Sequence, residues 1–336
     1  MPKIVFIVFN LTEDIVYGII YIFNKIFSTH SPMQADEGEK ISRLTFLTRI
    51  GLIISAIPFF SILYGMIWGR FNFKTTHTSL VYKELPENFH GLRIVQISDI
   101  HIGSFIGHEE VVKETIEKIN KLKPDIIFFT GDLVNNFAEE LDGWIPVLKN
   151  SHAKHGIYSI LGNHDYGDYY EWKNKEEKEQ NLQKIKEAHG KMGFRLLLNE
   201  HDIIEIEDDK IAIIGVENWG LPPFVQHGDY DKAAKGTDHI KFKILLSHDP
   251  SHWDAKIIKK EPVHLTLSGH THGMQFGIIT ENFKWSPVKY KYPRWAGLYT
   301  EDDQHLYVNR GFGYIGYPGR IGMPPEISLI ELLKEA

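Results

Sequence analysis

The chain contains no cysteine. That absence removes disulfide bridges, cysteine-ligated zinc, iron–sulfur clusters and thiol nucleophiles together. Any transition metal must lean on histidine, carboxylates and amide oxygens instead. A basic tract is also lacking. Residues 75–336 hold 30 Lys and Arg against 39 Asp and Glu, so the larger part of the chain is acidic. A general nucleic-acid binder needs a basic surface for phosphate contacts, so no nucleic-acid partner is expected. A small anionic substrate is still allowed, because bound cations reverse the local sign. No repeat recurs at a fixed period. What is present is an ordinary globular composition, 43% hydrophobic and 24% charged over 336 residues, with 18 histidines. That length suits one large α/β domain with an appendage.

The appendage reads as a membrane anchor. Residues 50–68 run IGLIISAIPFFSILYGMIW without a charge. About 20 apolar residues span a bilayer's hydrocarbon layer. Arg49 and Arg70 bracket the run, and Tyr64 and Trp68 sit near one end, as interfacial anchors do. A buried core helix is the competing reading, but such helices rarely stay uncharged on every face over this length. Pro58 is compatible with a kinked span. Residues 1–27 are apolar but interrupted by Asn10, Glu13 and Asp14, which fits a first span, an interfacial helix, or a span with a functional acidic pair. Residues 28–49 then form a polar linker and 69–89 a connector. Ser42-Arg43-Leu44-Thr45-Phe46-Leu47 resembles a twin-arginine export motif with Leu44 in the second arginine's place. Four basic residues before the firm span (Lys25, Lys40, Arg43, Arg49) against three after it lean the linker inside and the main domain outside.

The remainder, residues 90–336, reads as one α/β domain. Apolar runs rich in Ile, Leu, Val and Phe recur at 92–97, 126–130, 157–161, 211–216, 242–247 and 263–268, as buried strands do. Residues 109–122 place apolar side chains at helical spacing, and 172–189 form a charge-laced helical stretch ending at Gly190. Such alternation argues for layered α/β architecture.

Polar clusters follow five of these runs: Ser98-Asp99-Ile100-His101, Gly131-Asp132, Gly162-Asn163-His164-Asp165, Ser247-His248-Asp249 and Gly269-His270-Thr271-His272-Gly273. Ligands collect at the carboxyl ends of strands in open α/β sheets. Asp-x-His and His-x-His place two side chains on one side of an extended backbone. Carboxylates, imidazoles and one amide oxygen suit Mn, Fe or Zn. Singly, each cluster also reads as a turn, a surface pair or a loop cap. Five in succession, each ending a strand, are hard to produce by turns alone.

These motifs, in this order, resemble the calcineurin-like metallophosphoesterases over about residues 90–336. The resemblance implies a four-layer αββα sandwich of two mixed β-sheets flanked by helices, with a centre of two divalent metal ions (Mn, Fe, Zn or Ni) at one edge. It implies that Asp99, His101 and His272 bind one ion, that Asn163, His248 and His270 bind the other, and that Asp132 bridges them. His164 would face the substrate phosphate and Asp165 would orient it from behind. Two such ions neutralise phosphoryl oxygens and activate water, so no protein nucleophile is required.

Within the superfamily the chain resembles membrane-anchored bacterial phosphodiesterases, including relatives that cleave UDP-2,3-diacylglucosamine and an exported group with twin-arginine signals, through Gln96–His101, Gly273-x-Gln275 and Pro324-Pro325-Glu326. The resemblance implies an anchored hydrolase of a phosphodiester or pyrophosphate on a lipid-linked or envelope substrate at the bacterial cytoplasmic membrane. An anchored phosphatase or phosphodiesterase of soluble nucleotides and a non-catalytic scaffold of the same fold are the alternatives. The first substrate is cytosolic, which conflicts with the charge rule above. Trp285, Tyr290, Tyr292, Trp295 and Tyr299 interleave with Lys284, Lys289, Lys291 and Arg294, a composition that suits either a membrane-surface loop or a loop packed on the domain edge. Arg310 and Arg320 lie in a glycine-rich stretch and are candidate phosphate-gripping residues.

Overall fold

The computed structural model describes residues 43–336 except Asn282 and Ala336, together with Ile15, Gly18, Ile19, Tyr21 and Ile22. Most of segments 1–27 and 28–49 therefore lies outside the described residues. Packing divides the chain into a unit of Met1–Ser55 and a unit of Ala56–Ala336. A helix, α1, runs Arg43–Ile67, so the last seven residues of the expected linker are already helical. Thr48–Ile67 is long and apolar enough to cross a membrane, and that stretch is almost wholly unburied.

Among the described residues, fourteen strands follow in chain order: β1 Lys74–Tyr82, β2 Leu92–Ile97, β3 Ile126–Phe129, β4 Ile157–Ser159, β5 Phe194–Leu196, β6 Glu200–Ile206, β7 Asp209–Gly215, β8 Phe242–Leu246, β9 Leu265–Ser268, β10 Ile278–Ile279, β11 Lys284–Trp285, β12 Gly297–Glu301, β13 Gln304–Val308 and β14 Glu326–Lys334. Two six-stranded sheets form, ordered β1-β14-β2-β3-β4-β5 and β12-β13-β9-β8-β7-β6. Both are mixed. In the first, β2 to β5 are parallel while β14 meets β2 antiparallel. In the second, β7, β8, β9 and β13 are parallel, with antiparallel β6 and β12 at the edges.

The period-two alternation of strand side chains builds the layers. On β3, Ile126 and Phe128 join the core between the sheets, whereas Ile127 and Phe129 join the core beneath the helices. On β8, Phe242, Ile244 and Leu246 face the inter-sheet core and Leu245 faces the outer one. Two helices cover the first sheet. Helix α2, Glu109–Lys121, buries Val112, Thr115, Ile116 and Ile119, one stripe at helical spacing, and carries glutamates in its first turn and lysines in its last, matching its dipole. Between it and the next long helix lies the short α3, Ile145–Leu148. Helix α4, Lys175–Met192, starts at Asn174, whose side chain accepts the Glu177 N–H, and ends at Gly193 with φ 82°. The second sheet is covered by the short α5, Tyr230–Ala234, with Trp253 and Ile257. Helix, sheet, sheet and helix are thus the four layers.

One boundary is corrected. The expected connector 69–89 contains β1, which pairs in parallel with β14 over nine residues. The sequence KTTHTSLVY is an edge strand with one partly exposed face, so it lacks the continuous apolar run that marks the central strands. The folded domain therefore begins before residue 90.

Candidate metal centre

Five loops leave the carboxyl ends of β2, β3, β4, β8 and β9 and meet at one edge of the sandwich. Their close approach explains the motif glycines. A Cβ at Gly162 would overlap the Asp132 carboxylate, and one at Gly269 would overlap that of Asp99. The backbone is strained where the ligating types sit: Asp99, His101, Asp132, His270 and His272 all have φ between 46° and 72°. Left-handed conformations of non-glycine residues cost on the order of 1–3 kcal/mol each and persist where the surroundings over-determine them.

Donor atoms converge in two groups. Asp99, His101 and His272 present atoms within 4.8 Å of one another, as do Asp132, His248 and His270. In the first group His272 Nε2 lies 3.2 Å from Asp99 Oδ1 and 3.1 Å from His101 Nε2. In the second, Asn163 Oδ1 lies 3.1 Å from His248 Nε2 and 2.7 Å from His270 Nδ1. Asp132 Oδ2 stands between the groups, 3.6 Å from His101 Nε2 and 3.1 Å from His248 Nε2.

The outer contacts set which ring nitrogen faces inward. A backbone carbonyl only accepts, so the nitrogen facing it carries the proton. Nδ1 of His101 lies 3.2 Å from Val134 O and Nδ1 of His248 lies 2.7 Å from Thr130 O, which leaves both Nε2 lone pairs at the centre. Asn163 donates its Nδ2 to Tyr169 Oη at 2.8 Å, which turns its Oδ1 inward.

Electrostatics fit a cation. Asp99, Asp132, Asp165 and Asp249 are all buried, and Asp249 Oδ2 has no hydrogen-bond partner among the described residues. Four clustered carboxylates out of water demand counter-charge. Burial pushes the Asp99 carboxyl up, but His272 outweighs it and holds the group well below the usual range. Asp132 is likewise held down, by His248 against burial. Burial pulls His101 down to about 3, so its ring is neutral and able to ligate. His248 is opposed by burial but driven up to about 10 by Asp132, so a bound metal ion would take that proton's place. The residues present therefore fit a divalent-metal site.

His164 sits beside the first group, its ring centroid 4.9 Å from that of His101 and stacked at 4.4 Å on exposed Tyr169. Its Nδ1 lies 2.9 Å from Asn135 O, which directs Nε2 away from the loop. Asp165 is not behind it, which corrects the expected arrangement. The Asp165 carboxylate instead accepts the N–H groups of Gly162, Asp132, Leu133 and Val134, clamping two ligand loops together. Burial and the charge of Asp132 push it up to about 7 against those donors.

Arg310 and Arg320 both make bonds inside the domain. Arg310 Nε bonds Glu326 at 2.5 Å and lines a separate cavity of about 390 Å³ with Thr76, Lys284 and Tyr307. Arg320 is buried and donates to the carbonyls of Arg310, Gly311, Gly313 and Met323. The aromatic–basic loop divides. Trp295 is buried, Lys284 donates to Ala296 O, and Arg294 pairs with Asp254 and Glu301, so this part packs on the domain. Tyr292 reaches the second donor group, with Oη 2.7 Å from His270 Nε2. Its composition alone did not separate it from its neighbours, and nothing in the local sequence marks it.

Comparison with known proteins agrees with this geometry. Residues 92–274 match the family model described as Calcineurin-like phosphoesterase, and residues 1–70 match one described as "Probable Calcineurin-like phosphoesterase, transmembrane domain". The chain is 32% identical over 263 residues to the Bacillus subtilis metallophosphoesterase YkuE, covering 77% of this chain and 85% of that protein. It is 30% identical over 299 residues to a Danio rerio transmembrane protein with metallophosphoesterase domain, covering 86% of this chain but only 63% of that longer protein. Among solved structures, Haemophilus influenzae NAD nucleotidase aligns with TM-score 0.45 and 18% identity over 66% of this chain and 45% of that one, a likeness too distant to bear on substrate. With a metal-ready edge on two packed mixed sheets and an apolar helix before them, the chain belongs to the calcineurin-like phosphoesterase family, as a phosphoester hydrolase with an N-terminal transmembrane region.

Proposed function

We propose that the protein is a membrane-tethered, binuclear-metal hydrolase of phosphodiester or pyrophosphate bonds, acting on a lipid-linked or cell-envelope substrate such as UDP-2,3-diacylglucosamine. The observation that carries the reading is the position of Asp132, whose Oδ2 lies within 3.6 Å of a histidine from each donor group. Asp99, His101 and His272 would hold one ion, Asn163, His248 and His270 the other, and Asp132 both. Two bound ions supply Lewis acidity toward the phosphoryl oxygens and an activated water.

The protein's own groups do the rest. Asn135 O and the Tyr169 ring hold the His164 imidazole in one orientation, with Nε2 available to a substrate oxygen. Protonated, His164 donates to a phosphoryl oxygen or delivers its Nε2 proton to the leaving alkoxide, a contribution of roughly 10²–10⁴-fold. The Asp165 clamp keeps Asp132 and Asn163 in register.

The test uses full-length protein in detergent with Mn²⁺ and UDP-2,3-diacylglucosamine, reading UMP by mass spectrometry, with bis-p-nitrophenyl phosphate alongside. UMP release supports the lipid substrate. Turnover of the chromogenic diester without UMP rejects that substrate and retains the diesterase. Turnover of neither, with metal bound, overturns the reading.

A further inference from the structure

The metal edge and the membrane helix meet through one short stretch of chain. The Arg320 N–H donates to Gly65 O of α1 at 3.1 Å, and Tyr317 Oη donates to Ile62 O at 3.0 Å. No side chain fits at Gly65 or Gly69, because the Arg320 backbone and Ile321 press against them. On its other side this stretch pairs with the segment after the last ligand: Phe276 bridges Ile321, Ile321 N–H donates to Gln275 O at 2.8 Å, and Gly277 N–H donates to Ile321 O at 3.0 Å. Residues 275–277 thus stand two backbone pairings from the helix end, roughly 10 Å at about 5 Å per pairing. Tyr64 and Trp68, exposed at the end of α1, mark the depth at which aromatic side chains settle between hydrocarbon and headgroups.

The side chains presented there are apolar. Met274 is 58% exposed, Phe276 44% and Ile278 52%. The adjoining loop, tied on by Ser286 Oγ donating to Gly273 O at 2.8 Å, adds exposed Tyr290 between Lys289 and Lys291. Apolar residues bordered by lysines match the interfacial layer of an anionic bilayer, and the strip is continuous with the helix that enters that bilayer.

We propose that Met274, Phe276 and Ile278 form a membrane-contact surface that rests in the headgroup layer of the bilayer holding α1. Met274 lies two residues beyond the ligand-type residue His272, so the surface holds the metal edge against lipid phosphoesters. This deepens the function proposed above and rests on it for the substrate, and on α1 as a membrane span for the location.

The cysteine-free chain permits a direct test. Single cysteines at Phe276, Ile278, Phe60 within the span, and Val81 are labelled with an environment-sensitive nitrobenzoxadiazole dye in full-length protein in anionic nanodiscs. Val81 lies seven residues up β1 from its start at Lys74, roughly 23 Å away. The expected result is quenching by headgroup nitroxide lipid at 276, 278 and 60, and by aqueous iodide only at 81. Lipid contact at 60 with iodide access at 276 and 278 overturns the surface alone. Shielding of 276 and 278 from both quenchers also overturns it, since another protein segment or copy then covers the strip. Iodide access at 60 removes the span and the surface together. If Phe276→Cys fails to fold, Ile278→Cys decides. Hydrolysis of bis-p-nitrophenyl phosphate by the same samples reports separately on the phosphoesterase reading.

Discussion

The phenol of Tyr292 lies 2.7 Å from Nε2 of His270, whose other nitrogen faces Asn163 Oδ1 at 2.7 Å. Asp249 Oδ2 stands 3.6 Å from the same Nε2. One ring is thus held between the cluster of donor atoms and an outer pair from two different loops. Removing the phenol leaves the ring to rotate and lowers its basicity as a ligand. Tyr292→Phe is expected to weaken Mn²⁺ binding to the apoprotein by roughly 10–100-fold. Calorimetric titration measures this, and unchanged affinity would show that Asp249 alone orients the ring.

His164 is not among the converging ligand atoms, so its loss separates chemistry from metal binding. His164→Ala is expected to retain the wild-type metal content by plasma mass spectrometry. Turnover of bis-p-nitrophenyl phosphate should fall by roughly 10²–10⁴-fold. Full turnover at unchanged metal content would remove the acid–base role.

Arg310 supports the fold through Glu326, which also accepts from Thr76 and Tyr307. Burial pushes the Glu326 carboxyl up, but Arg310 and these hydroxyls hold it below its ordinary value. Arg310→Leu strands a buried carboxylate, an expected loss of about 3–5 kcal/mol. A thermal melt of the full chain in detergent should show a large fall in Tm. A variant that keeps its Tm but binds the diester more weakly would return Arg310 to the substrate site.

Acid should destabilise the domain through His189, which is outside the metal edge. Its buried ring bonds Ser159 Oγ at 2.9 Å, and burial pulls its pKa down to about 3 from an ordinary 6.5. The unfolded chain therefore binds the proton first. Stability is full above pH 6.5 and falls on acidification toward pH 3, by up to about 1.4 kcal/mol per pH unit for this one group. His189→Gln should show a smaller loss of Tm between pH 6.5 and 4.5 than the wild type. Equal slopes would mean that the ring takes up its proton as readily in the folded chain as in the unfolded one.

How much of this was legible in one dimension depended on distance along the chain. The apolar runs of β2, β3, β4, β7, β8 and β9 announce themselves because both faces of each strand are buried. The donor types at Asp99, His101, Asp132, Asn163, His248, His270 and His272 were visible because each follows such a run in a fixed local pattern. The apolar run at 50–68 was visible because a bilayer demands an unbroken apolar stretch, and it overlaps the apolar helix segment Thr48–Ile67.

Contacts between distant segments left no such mark. Edge strand β1 pairs with β14, about 250 residues later, and its half-exposed pattern reads as a connector until that partner is in place. Asp165 looked like a partner for the adjacent His164, yet folding turned it toward amides 31–33 residues away on the Asp132 loop and gave His164 the Asn135 carbonyl. Arg310 and Arg320 looked like free cations, and folding spent both on internal acceptors. Local sequence determined which chemical groups the protein carries and which segments become strand, helix or span, because those follow from neighbours a few residues apart. Tertiary structure alone decided which atoms face the metal edge and which are neutralised inside, and it set that edge beside the membrane helix. Those outcomes depend on long-range pairing, burial and the need of every buried charge for a partner.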